Sequence, residues 1–239
     1  MRAVDWPTEI AHRMRPDTLL ELPASWVLLA IAAALVAALW PQAWYRLRVG
    51  ITLVHELGHA AVGVAVGRRF TGFVLRGDMS GHAVTWGAPT GAGRVVSTWA
   101  GYPAPALLGA LVSWLAVAGW AAPTLTALGL GLLLALFFAR SVRTIAVTLT
   151  ALAATGWLWW AANPVVQACA LLGLGVVLVI GAWRHLATMR HGIRPQSDPG
   201  VLAQLTGVPA VLWLLSFALV CLGATWVVAT EVYGLVRLG

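Results

Sequence analysis

Negative charge is what this chain has least of: 8 of its 239 residues are Asp or Glu. Lysine is absent, so all 15 basic residues are arginine, and there are only 2 cysteines. Each shortage excludes something. Cys169 and Cys221 both sit inside apolar runs, which rules out a disulfide framework and a cysteine zinc site and leaves them as packing residues. A soluble domain of this length needs a charged surface, yet charged residues make up 10% of the chain against 60% hydrophobic. The formal net charge of +7 does not mark a nucleic-acid-binding face, because the arginines are dispersed over short connecting stretches. What remains is a series of apolar runs long enough to cross a hydrocarbon core of about 30 Å at about 1.5 Å per residue. The bilayer is the first partner this sequence implies.

The runs read as an all-α polytopic membrane protein of about seven transmembrane helices, near 24–42, 50–67, 95–120, 124–139, 144–161, 165–183 and 208–230. Residues 1–23 form a charged, proline-containing lead without the pattern of a cleavable signal peptide, 68–94 a hairpin or loop, and 184–207 a loop. No internal repeat or linker divides the chain, which reads as one membrane-embedded domain over 1–239. With the N-terminus in the cytoplasm, Arg2, Arg13, Arg15, Arg68, Arg69, Arg76, Arg94, Arg140, Arg143, Arg184, Arg190 and Arg194 fall inside, and Arg46, Arg48 and Arg237 outside. That asymmetry follows the positive-inside rule. Trp40, Trp44, Tyr45, Trp120, Trp157, Trp159 and Trp160 then form the outer aromatic belt.

Inside the second run stands VHELGHAAVGVAVG, residues 54–67. On a helix His55 and His59 project from one face a turn apart, within reach of one ion, with Glu56 beside them. Two neutral imidazoles on Zn²⁺ and an adjacent carboxylate to take a proton from water make up the H-E-x-x-H arrangement of zinc hydrolases. Three ionisable groups in five positions of a membrane run need a compensating partner, and a metal ion supplies one. The bland alternative is a hydrogen-bonded, inert cluster near a helix end. A hydrolytic zinc needs a third protein ligand. Asp78, His82, His185, His191, Asp198, Glu231 and the neutral Asn163 are the residues on offer, with His185 and His191 read in an arginine-rich loop. Asp198, followed by Pro199, reads equally well as a helix cap. Gly58, Gly63, Gly101 and Gly109 read as packing residues that let helices approach, and Pro103 and Pro105 as the cause of a local kink.

Between the second and third runs, Phe70 to Arg76 and His82 to Trp86 read as strands around a turn of Gly77, Asp78, Ser80 and Gly81. A hairpin edge beside a hydrolytic metal suits an extended peptide added as a strand, since a helical substrate must unwind before its peptide bond can be attacked. Asp78 and His82 read more readily as a turn cap and a solvated strand residue than as catalytic groups.

VHELGH followed by a glycine-rich hairpin and a small-residue third run resembles the site-2 protease class of intramembrane zinc metallopeptidases, the M50 family, and within it the compact bacterial M50B-like branch. The resemblance implies one Zn²⁺ per chain held by His55 and His59, Glu56 as general base, an aspartate from later in the chain as third ligand, and a membrane-protein substrate cut within or near its transmembrane segment. It also implies a multi-pass protein of a bacterial plasma membrane. The L-D-G context usual for that aspartate is missing here, but SDPGVLAQLTGVPAVLW, from Ser197, resembles the corresponding stretch of the M50B-like branch and implies Asp198. The alternative in another functional class is an inactive zinc-binding membrane scaffold of the same fold. An intact glutamate argues for the enzyme, since a scaffold has no use for a base.

The motif predicts that zinc analysis of purified protein finds about one ion per chain, lost in His55→Ala and His59→Ala but kept in Glu56→Gln, which loses proteolysis instead. Stoichiometric zinc in both histidine variants would remove the basis of the assignment.

Overall fold

Backbone polar groups out of reach of water must pair within their own segment, so long apolar runs interrupted by proline and glycine fold into helices that end at those residues. The computed structural model describes residues 6–17, 20–78 and 80–238 and is about 75% helical. In chain order the helices are α1 (Trp6–Arg13), α2 (Ala24–Leu39), α3 (Pro41–Ala65), α4 (Ala92–Trp99), α5 (Pro103–Val117), α6 (Ala121–Phe137), α7 (Val142–Ala161), α8 (Pro164–Ala187), α9 (Asp198–Thr206) and α10 (Ala210–Leu238). Between α3 and α4 lies an antiparallel hairpin, β1 (Arg69–Leu75) and β2 (Gly81–Trp86). Large apolar side chains stand exposed along the helices, Leu28, Leu35, Leu134, Leu219 and Trp226 among them. An outer surface of this kind is stable against lipid and not against water, and the chain is a multi-pass membrane protein.

Close helix contact comes from small residues. A Cβ at Gly109 of α5 would lie 2.7 Å from the Gly175 carbonyl of α8, and one at Gly175 would lie 2.6 Å from the Gly109 carbonyl, so the two backbones touch where both side chains are missing. The same device seats α3 on α5: a Cβ at Gly58, inside HELGH, would lie 2.4 Å from Ala104 Cβ. The kink expected at the third run is a 62° bend between α4 and α5, just before Pro103.

The hairpin is close to its expected bounds. Phe73 and Leu75 point into a cluster with Leu53 of α3 and Ala135 of α6. The outer edge of β1 is closed by the α6–α7 connection: Phe73 N–H donates to the Phe138 carbonyl, Arg140 N–H to the Phe73 carbonyl, and Leu75 N–H to Thr144 Oγ1. Phe73 therefore faces away from β2, and its register partner Ala83 likewise directs its backbone away from β1. The outer edge of β2 turns toward α3.

Three expectations need correction. Among the described residues the count of seven spans is not reached by length and apolarity: α7, α8 and α10 qualify alone, the bent pairs α2–α3 and α4–α5 raise the number to five, and α6 is apolar but shorter. Hydropathy registers apolar residues and is blind to direction, so it missed that α3 turns 96° from α2 and crosses the end of the bundle. Residues 184–207 are not a plain loop, because α8 continues to Ala187, a 3-10 turn covers Thr188–His191, and α9 begins at Asp198.

The third correction concerns sidedness. α2 runs parallel to α8: Leu22 and Val27 pack with Ala168 and Leu172, while Arg184 Nη1 donates to the Ala38 carbonyl and its guanidinium lies 4.1 Å over the Trp44 ring. Arg48 Nη2 reaches the Asp78 carbonyl at 2.8 Å. Trp44 and Arg48 thus share one end of the bundle with the hairpin and Arg184. At the other end, Arg13 Nη1 donates to the carbonyls of Trp159 and Trp160, and Asp17 N–H to Gly119. The lead and the hairpin, expected on one side, lie at opposite ends.

By this geometry Arg46, Arg48, Arg68, Arg69, Arg76, Arg94, Arg140, Arg143, Arg184, Arg190 and Arg194 belong to the hairpin end, against Arg13, Arg15 and Arg237 at the other. The positive-inside rule then predicts a cytoplasmic hairpin with both α1 and the end of α10 outside. Single cysteines Thr8→Cys and Thr71→Cys, in a background lacking Cys169 and Cys221, are expected to label from opposite sides of intact cells. Labelling of both from the same side would refute the arrangement.

Candidate metal centre

His55 and His59 lie a turn apart on α3, and both Nε2 atoms face the same point, 3.1 Å from each other. Asp198, the first residue of α9, meets them there: its Oδ2 is 3.2 Å from His55 Nε2 and 3.1 Å from His59 Nε2. The turn before α9 aims the carboxylate. Ser197 N–H and Oγ both donate to the Arg194 carbonyl, and Gln204 Nε2 ties the Pro195 carbonyl. Gly200 follows because a Cβ there would lie 2.3 Å from the Arg194 carbonyl oxygen. Ser197 occupies the cap position and Asp198 the first helical one, so the capping reading of Asp198 does not describe its side chain.

The hydrogen bond from the far side of His59 decides what this convergence means. Its Nδ1 is 2.7 Å from the Ser97 carbonyl, which can only accept, so Nδ1 carries a proton and the ring, in its neutral form, presents a lone pair at Nε2. That lone pair faces another imidazole nitrogen and a buried carboxylate oxygen that has no conventional hydrogen bond. Two imidazole nitrogens and a carboxylate oxygen within 3.2 Å of one another in a buried site need a cation between them, a metal ion or a ring proton. Their separations approach the edge of about 3.3 Å set by ligands about 2.0 Å from a tetrahedral zinc. The donor set, two imidazoles and one carboxylate, suits the same ion.

Space is kept free at this point by Gly101, in the α4–α5 bend. A Cβ there would lie 2.3 Å from His59 Nε2 and 2.9 Å from His55 Cε1. The residues present fit a zinc ion.

Glu56 is buried beside this cluster and is not one of the converging atoms. Its carboxylate faces the backbone of β2 near Ala83. It also lies against Gly81, where a Cβ would come within 2.3 Å of Oε1. The motif, the hairpin and α9 therefore meet at one place, although they are far apart in sequence.

Among the other residues singled out in the sequence, Asp78 Oδ1 accepts from Ser80 N–H and Oγ, a turn cap whose two bonds hold its carboxyl below the ordinary value. His82 is an exposed strand residue. Asn163 caps α8 through Val166 N–H, and Glu231 lies toward the far end of α10. The side chain of His191 falls outside the described residues. His185 is the correction: it belongs to α8, and its ring centroid lies 5.2 Å from that of His55. Tyr102, which sequence reasoning passed over, packs edge-on to His55 at 5.0 Å and stacks on Phe217. Continuation of the apolar pattern of the sixth run through Leu186 was the available signal for His185; no local signal marked Tyr102.

With this geometry in view, comparison with known proteins is direct. The family model for peptidase M50B-like proteins matches residues 28–228, and the chain belongs to that family. No curated protein and no solved structure matches it.

The geometry predicts that Gly101→Ala weakens zinc binding by at least tenfold with the ligands themselves untouched, because an added methyl group occupies the converging point. Asp198→Asn is expected to lose zinc while α9 persists in circular dichroism, since asparagine serves a helix start about as well but ligates poorly. Native zinc affinity in both variants would show that the cluster is not a metal site.

Proposed function

We propose that this protein is a zinc-dependent intramembrane endopeptidase that cuts membrane-protein substrates within or near their transmembrane segments. The reading is carried by the convergence of two imidazole lone pairs and one carboxylate oxygen on a single point with a further carboxylate, Glu56, alongside. Family membership supports it. His55, His59 and Asp198 would hold the zinc, which when bound polarises a peptide carbonyl and makes water more acidic. The Ser97 carbonyl fixes the tautomer of His59, and Gly101 leaves room for the ion.

Glu56 is the base, taking a proton from the attacking water and passing it to the departing amine. The hairpin supplies the substrate site. With the β1 edge closed by Phe138 and Arg140, an extended peptide adds to the outer edge of β2, where it meets the Glu56 carboxylate. Strand addition also keeps the unwound peptide hydrogen-bonded in an environment where each unpaired backbone group costs several kcal/mol.

The direct test is to express Glu56→Gln, recover bound membrane proteins by mass spectrometry, and ask whether those proteins are shortened by the wild type. Proteins captured by the variant are expected to be cut by the wild type and to accumulate in its absence. Absence of cleavage across the captured set would leave only zinc binding. Gly81→Ala probes the hairpin's role independently: displacing the Glu56 carboxylate by about 1 Å should reduce cleavage up to about a hundredfold with zinc content unchanged.

A further inference from the structure

A cavity of about 540 Å³ opens between the first half of α3, the hairpin turn and the end of α8, lined by Trp44, Arg48, Thr52, Ser80, Arg184 and His185 among others. Its charge is unusual for this chain. Arg48 donates through Nη2 to the Asp78 carbonyl and Arg184 through Nη1 to the Ala38 carbonyl, and neither makes an ion pair among the described residues. Arg48 Nε and His185 Nδ1 are buried without hydrogen-bond partners. One carboxylate, Asp78, lines the same cavity, but its Oδ1 is occupied by Ser80 N–H and Oγ. The exposed Arg184 and the half-buried Arg48 thus share this cavity with one carboxylate already engaged at Oδ1, and both keep donor capacity toward an anionic ligand.

We infer that this cavity is a substrate subsite that binds a carboxylate of the peptide being cut. The inference rests on the peptidase reading and extends it to specificity. The wall shared with the metal centre favours a peptide: His185, which lines the cavity, packs against the metal-facing His55 and against Tyr102. A group held by Arg48 and Arg184 is thus divided from His55 by the His185 ring. Guanidinium donors suit a planar carboxylate in paired hydrogen bonds, and the space accommodates a side chain with its flanking backbone. Acidic side chains and a C-terminal carboxylate offer the same chemistry.

The test uses the zinc-loaded full chain in nanodiscs and membrane-spanning peptides carrying one Glu or Gln at successive positions, each made with a free or amidated C-terminus. The expected result is a preference of about tenfold in kcat/KM for Glu over Gln at one position, or for the free C-terminus over the amide, which tells the two sources apart. That ratio should fall toward one in Arg48→Gln and in Arg184→Gln at normal zinc content. It should invert toward a Lys peptide in Arg48→Glu. Equal cleavage of all four peptides by the wild type overturns the inference. So does a ratio of one accompanied by loss of co-purifying phospholipid phosphate in the arginine variants, which makes the cavity a lipid site. If the wild type cuts none of them, the peptidase reading fails separately. Fluorescence anisotropy of the same peptides on Glu56→Gln protein then still decides the cavity, with selective binding supporting it and indifferent binding overturning it.

Discussion

The convergence of two imidazole nitrogens and a carboxylate oxygen on one buried point organises this end of the molecule. His55 Nε2, His59 Nε2 and Asp198 Oδ2 are brought within 3.2 Å of one another in a buried setting. Such a convergence is unfavourable without a cation, and more so where the effective dielectric is low. A chain this poor in charge brings together two histidines and one of its few aspartates only if something compensates them. The positions of α3, α4 and α9 make sense as the means of holding these atoms to that point.

The surrounding architecture follows from glycine and from tight turns. Gly58 allows α3 to rest on the α4–α5 bend, Gly101 leaves the converging point open, and Gly200 allows the turn that presents Asp198. Each is a place where a methyl group would meet a backbone or a ligand atom. In a membrane interior, where helices gain little from leaving lipid for one another, close approach of backbones is a main source of helix association. The stripe of small residues and the metal centre are thus parts of one design: the packing that associates the helices also sets the ligand distances.

The hairpin connects this centre to the outside. β1 is fastened through Phe73, Leu75 and Thr144 to the α6–α7 connection, so the sheet is immobilised on one edge and offers the other to α3. Glu56 lies against this free edge, close enough to Gly81 that a Cβ there would meet its carboxylate.

The residues of the centre were largely legible in the sequence, because helical periodicity alone brings His55 and His59 onto one face and the adjacent position gives Glu56. The hairpin was legible from alternating apolar residues around a glycine-rich turn. Asp198 could be reached only through resemblance, since nothing in local pattern connects residues so far apart in the chain. Tertiary structure decided the rest: that α2 runs parallel to α8, that α3 crosses the bundle end at 96° to α2, that His185 faces His55, and that two arginines share a cavity. The reason is physical. Hydropathy and periodicity are properties of a residue and its near neighbours, whereas the direction of a span and the meeting of distant side chains depend on which backbones can approach each other, and that is settled only when the whole bundle packs.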